Sequence, residues 1–72
     1  MQWLHDPRQR CWRLQVGPWI ATIERWPSSF EYTARLESKQ PVQSIIAPHV
    51  FATMDEAQTW CITTIAHQRL VG

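Results

Sequence analysis

Glycine is scarce in this chain, and its scarcity excludes several kinds of catalytic site. Only Gly17 and Gly72 occur among 72 residues. No glycine-rich loop can cradle a phosphate, and no G-x-S-x-G turn presents a nucleophilic serine. Ser28 and Ser29 follow Pro27 and are typical of a turn. Carboxylates do not cluster as general acid/base catalysis requires. The sequence therefore predicts no enzyme and no catalytic residues.

Metal-ligand and disulfide patterns are also missing. Cys11 and Cys61 lie far apart without a C-x-x-C pairing, and His5, His49 and His67 occupy three different regions without ligand spacing. We expect no metal and no cofactor. Both cysteines are expected to be free thiols, because a disulfide is rare in a reducing compartment.

Charge of one sign and long apolar runs are absent as well. Seven basic and six acidic side chains give a net charge of +1, too little for strong long-range attraction to nucleic acid. No stretch reaches eighteen consecutive apolar residues, and the first residues show no signal-peptide pattern. The expectation is a soluble, cytoplasmic protein with no membrane partner.

What the chain does contain is apolar bulk. Hydrophobic residues make up 44% of the chain and include five tryptophans, enough to fill one layer between a sheet and a helix. A chain of this length buries only about 60% of the surface that its unfolded form exposes. Residues 1–72 are thus predicted to form a single domain with a thin core.

Alternation of apolar and polar residues predicts an antiparallel sheet over residues 11–47, after an arm or lead-in over residues 1–10. One strand spans residues 11–16, the Gly17-Pro18 pair turns the chain, and a second strand spans residues 19–26. A third strand follows the turn at residues 27–30. Residues 42–47 are rich in β-branched side chains and predict a fourth, short edge strand before Pro48.

A helix over residues 53–70 completes the predicted fold. The run T-M-D-E at residues 53–56 has the pattern of a capping box, and Ala57, Trp60, Cys61 and Ile65 recur at helical spacing. The fold class is therefore α+β, with three to four antiparallel strands packed on one C-terminal helix. Trp12, Trp19 and Trp60 are predicted to join the core.

The sheet face opposite the helix, here called the open face, carries the candidate binding residues. The predicted register places five side chains together there: Trp26, Ile20, Arg13, Arg35 and Thr22. An exposed tryptophan beside arginine is typical of a binding hot spot, but one amphipathic tryptophan can also lie flat on its own sheet. Cys11 is predicted to point to this face and to react slowly with oxidants.

Three antiparallel strands followed by a helix that begins with F-A-T-M-D-E-A at residues 51–57 resemble AP2-type and phage-integrase-type DNA-binding domains. The likeness covers about residues 11–66. It implies that the open face enters the major groove of DNA, with Arg13, Trp26 and Arg35 at the matching positions. This chain differs in placing Glu24 and Glu31 on that face.

Two hypotheses for function follow. The leading one is a small non-enzymatic protein-interaction module that binds a partner protein or a second copy of itself through the open face or a strand edge. Its size also suits a phage or mobile-element inhibitor that binds a host protein. The alternative is a nucleic-acid-binding domain that uses the following residues: Arg8, Arg10, Arg13, Trp26, Arg35 and Lys39.

Overall fold

The computed structural model describes residues 2–71 as a five-stranded antiparallel sheet followed by one helix. Strands lie side by side in chain order, which confirms the predicted α+β class. The elements are β1 (Leu4–Asp6), β2 (Cys11–Val16), β3 (Trp19–Arg25), β4 (Tyr32–Lys39), β5 (Val42–Ile46) and α1 (Met54–Val71).

Strand β1 lies inside the segment that the sequence predicts as a lead-in. It has only three residues, too few for alternation to be recognised, and Pro7 follows it directly. Leu4 pairs with Arg13 and His5 with Trp12. The imidazole of His5 stacks on the indole of Trp12 with ring centroids 4.6 Å apart. The segment is therefore fixed to the sheet.

The predicted register of the central hairpins is confirmed. Trp12 pairs with Ile23, and Leu14 with Ala21, so these apolar side chains share the face covered by α1. Gly17 has a φ of 60°, and Pro18 fixes a negative φ, a combination that suits a type II′ turn. The two-residue turn thus sets the register on which the sheet depends.

Strand β5 forms one edge of the sheet, as predicted for residues 42–47. Beyond it the chain stays beside β4: the Ala47 amide donates to the Ala34 carbonyl at 3.0 Å. Phe51 and Tyr32 then exchange two backbone hydrogen bonds of 2.8 and 2.9 Å. These bonds lead the chain from the sheet edge to the start of α1.

The core lies between α1 and the central strands β3 and β4. Its buried apolar residues are Leu14, Trp19, Ala21, Ile23, Ala34, Leu36, Phe51, Ala57, Cys61 and Ile65. Trp19 is fully within this set, whereas Trp12 and Trp60 are half-buried and pack against it. The prediction of three core tryptophans is met completely only by Trp19.

Replacing Thr53 with alanine should lower the free energy of unfolding by about 1 kcal/mol. The Glu56 amide donates to Thr53 Oγ1 at 3.2 Å, and alanine leaves this first-turn amide without its acceptor. Urea melts of both proteins measure the difference. Thr59→Ala is the matched control, because Thr59 is exposed inside the helix and alanine favours helix there. An unchanged midpoint for Thr53→Ala would show that the hydroxyl caps nothing.

Candidate functional site

The centre of the open face is a row of paired residues on neighbouring strands. Arg13 pairs with Thr22, and Thr22 pairs with Arg35. Thr22 is only 5% exposed, so the flanking side chains cover it and it offers almost no surface to a partner. Of the five predicted site residues, Thr22 therefore lies at the predicted place in the sheet but cannot contact a partner.

Both arginines in this row are already engaged. Arg35 lies between two carboxylates, with Nη2 3.8 Å from Glu24 Oε1 and Nε 3.3 Å from Glu37 Oε1. Arg13 Nη2 donates to Gln9 Oε1 at 3.3 Å. All of these groups are substantially exposed, so the ion pairs stabilise little. They do compensate the positive charge at the middle of the face.

Ile20 and Trp26 do not form one patch. They lie six residues apart on and just after β3, which corresponds to about 20 Å along a strand. Ile20 is half-buried, whereas Trp26 is 54% exposed at the end of the sheet. The structure thus separates the predicted site into a compensated centre and an exposed end.

Two turns meet at that exposed end. Residues 7–10 connect β1 to β2, residues 26–31 connect β3 to β4, and the Arg25 amide donates to the Arg10 carbonyl at 3.0 Å. The Trp26 amide donates to the Glu31 carbonyl, and the Phe30 amide to the Trp26 carbonyl, both at 2.9 Å. We call this surface the arginine–aromatic corner, formed by Arg8, Arg10, Arg25, Trp26 and Phe30.

The corner exposes two large aromatic rings among guanidinium groups. Phe30 is 63% exposed, and the guanidinium carbon of Arg25 lies 5.1 Å from the centre of its ring, within cation–π distance. A hollow of about 240 Å³ lies between Trp26 and the first turn, and a second of about 420 Å³ lies between Arg10 and Phe30. Arg10, Arg25 and Pro27 line both hollows.

The backbone at the corner is strained where it presents these side chains. Phe30 has a φ of 58° and Arg10 a φ of 51°, both in the left-handed region. That conformation costs a residue with a Cβ roughly 1–2 kcal/mol relative to its ordinary one, and glycine avoids the cost. A bulky, exposed phenylalanine at such a position is not explained by turn formation or by the core.

Carboxylates border the corner and make its charge mixed. Glu24 pairs with Cys11 and Thr33 on the adjoining strands, and Glu31 lies opposite Trp26. Asp6 Oδ1 accepts a hydrogen bond of 3.0 Å from the Arg8 amide. Three carboxylates therefore border the three arginines of the corner.

Sequence patterns identified Trp26 but missed Phe30 and Arg25. The pattern places residue 30 in a turn, and alternation assigns Arg25 to the face that α1 covers. Their proximity depends on where the chain reverses after β3, which alternation does not specify. The available signal was the bulky aromatic residue that ends an otherwise small and polar turn, P-S-S-F.

Cys11 lies on the open face, as predicted, but it is buried there. Cys11 is 2% exposed although it lies on the open face, because β1 and β3 flank it with Asp6 and Glu24. Its Sγ–H donates to Gln9 Oε1 at 3.9 Å. Cys61 is buried in the core as predicted, and burial raises the pKa of its thiol from the ordinary 9.0 to about 12.

Both thiols should react slowly in the folded protein and release two equivalents once it unfolds. Because the thiolate is the reactive species, the raised pKa of Cys61 keeps it inert at neutral pH. The same shift contributes stability below pH 9 that is lost as the pH rises towards 12. The number of thiols that react with a thiol reagent, counted in native buffer and again in denaturant, measures the accessible and the total thiols. A rapid first equivalent in native buffer would contradict the burial of Cys11.

Other concavities lie beside α1. One of them, about 510 Å³, is lined by His49, Phe51 and Trp60 together with residues of the first helical turns. His49 meets Phe51 edge-on at 4.7 Å. Within residues 2–71 no three histidine, cysteine or acidic side chains are grouped to hold a metal ion. In the same range, no helix has the length and hydropathy of a membrane-spanning segment.

No protein-family model, curated protein or solved structure matches this chain. The likeness to AP2-type and phage-integrase-type domains therefore stays a prediction. Support for a function comes from the chain's own geometry, including the exposed aromatic rings and left-handed residues of the arginine–aromatic corner.

Proposed function

We propose that this chain is a non-enzymatic protein-interaction module that binds a partner protein through the arginine–aromatic corner. Phe30 is the observation that carries the proposal. Its ring is largely exposed, and its left-handed backbone would cost less as glycine. Phe30 thus adds little to the stability of the fold. What its ring can provide is a contact surface for a partner. Such strain is typical of functional sites.

The composition of the corner favours a protein partner. Tryptophan and arginine are enriched at interface hot spots, and Trp26 lines the smaller hollow together with Arg25 and Arg10. Bordering carboxylates suit a partner that carries both signs of charge, with acidic groups opposite the arginines. A host protein bound in this way would make the chain an inhibitor of phage or mobile-element type.

Nucleic-acid binding across the open face has less support. Arg35 is compensated by Glu24 and Glu37, and these carboxylates would approach the phosphates that Arg35 is required to contact. The positive groups that remain are spread from Arg8 at the corner to Lys39 at the other end of β4. A groove of continuous positive charge is missing from the described face.

Affinity capture from a lysate, with and without nuclease, tests the proposal. The bait is the intact chain, compared with Trp26→Ala and with Leu4→Ala, an exposed apolar control on the open face outside the corner. A protein that survives nuclease and is lost only with Trp26→Ala supports the corner. If the captured material is instead lost on nuclease treatment, and the affinity of the chain for it falls steeply with salt, the nucleic-acid alternative is established.

A further inference from the structure

Strand β5 presents an unpaired edge along one side of the sheet. Because Ala47 donates to Ala34 directly opposite, alternation of the ladder turns the N–H and C=O groups of Gln43 and Ile45 towards β4. The corresponding groups of Val42, Ser44 and Ile46 then point outwards. Among the described residues β5 has no strand neighbour on that side.

This edge lacks the devices that usually prevent strands from pairing. Residues 42–46 contain no charge and no proline, and Val42 and Ile46 are 88% and 74% exposed. At the opposite edge, β1 has only three residues and includes Asp6. Only β5 therefore offers an uncharged ladder of useful length.

We propose that β5 pairs antiparallel with β5 of a second copy of this chain, with Ser44 opposite Ser44 at the two-fold axis. In that register Val42 of each copy lies opposite Ile46 of the other. All three outward-facing residues then form hydrogen-bonded pairs, so each copy donates three N–H groups and accepts at three C=O groups. Two five-stranded sheets become one continuous sheet.

The side-chain sequence of β5 favours a second copy of this chain, and not an unrelated strand, as the partner. V-Q-S-I-I has a β-branched apolar residue two positions on each side of Ser44, all three on the open face. An antiparallel two-fold therefore matches the exposed Val42 of each copy with the exposed Ile46 of the other, as an isologous interface requires. Because α1 packs on β3 and β4, it leaves this edge accessible.

Proline at position 44 tests the pairing while sparing the monomer. Ser44→Pro removes an outward N–H that bonds to nothing in β4, whereas Ser44→Ala keeps it. Sedimentation across a concentration series should show a dimer for the intact chain and for Ser44→Ala. Ser44→Pro should raise the dissociation constant on the order of a hundredfold, about tenfold for each donor lost from the pair. Exchange of the Val42, Ser44 and Ile46 amides with solvent should slow as concentration rises.

A cysteine at the two-fold tests the register. Ser44→Cys brings two thiols to opposite positions about 5.5 Å apart between Cα atoms, within the span of a disulfide. Oxidation should link the copies of this variant and not those of Gln43→Cys, whose residue faces Ile45 of the other copy. The native thiols are buried and give little background.

A monomer at every concentration, or amides whose exchange is independent of concentration, would overturn the proposal. Equal cross-linking of the two cysteine variants would overturn the register. The outcome is separate from that at the corner, since Trp26→Ala should leave the dimer intact and Ser44→Pro should leave partner capture unchanged. A melt of each variant establishes that it remains folded.

Discussion

Replacing Trp26 with alanine is expected to weaken partner binding by about 2 kcal/mol or more while changing the free energy of unfolding by only about 0.5 kcal/mol. The ring is 54% exposed and lies outside the core. Backbone bonds to Glu31 and Phe30 do not depend on the indole and should persist. Titration calorimetry with the captured partner and urea melts measure the two quantities.

Trp19→Ala is the contrasting variant for stability. Trp19 is buried between the sheet and α1, so its truncation should cost about 3–5 kcal/mol of unfolding free energy. A loss of that size for Trp26→Ala would show that the Trp26 ring is part of the core. Unchanged partner affinity for a folded Trp26→Ala would remove the corner as the binding surface.

Replacing Phe30 with glycine should weaken the same binding yet leave the protein as stable or more stable. Glycine relieves roughly 1–2 kcal/mol of left-handed strain, offset by its larger entropy in the unfolded chain, about 0.5–1 kcal/mol. The loss of the contact with Arg25 subtracts a further part of the gain. We expect binding to fall by about 2 kcal/mol, as for a hot-spot aromatic residue.

Phe30→Ala separates the ring from the backbone. Alanine removes the aromatic surface but retains a Cβ, so it keeps the left-handed cost at a φ of 58°. Binding should fall as far as in Phe30→Gly, and stability should not rise. If the glycine variant melts well below the intact chain, Phe30 supports the fold, and its exposure has no functional meaning. If the intact chain, Phe30→Gly and Phe30→Ala bind the partner with equal affinity, Phe30 lies outside the interface.

Short-range patterns were sufficient to predict most of the fold. Alternation along residues 11–16 and 19–26 fixed which side chains pair, because a shift of one residue would have turned Leu14 and Ile23 away from the helix. The cap at Thr53 located the start of α1 to within one residue. In each case the signal lies within a few residues of the feature that it determines.

Features that depend on distant segments were not predictable in this way. Cys11 is buried because β1 pairs beside it, and β1 is too short to show a pattern of its own. Thr22 is covered by side chains of both adjoining strands. The arginine–aromatic corner forms because Arg25 bonds to Arg10 across two turns, a contact between segments fifteen residues apart.

The chain-order arrangement of the strands has a consequence during synthesis. Each strand pairs with the one made just before it, so the hairpins can close through short turns as the chain emerges, and short closures are fast. The helix that covers Ile23 and Leu36 follows all five strands. The apolar face of the sheet therefore stays uncovered until α1 has left the ribosome, and during this interval the nascent chain exposes a surface that can aggregate.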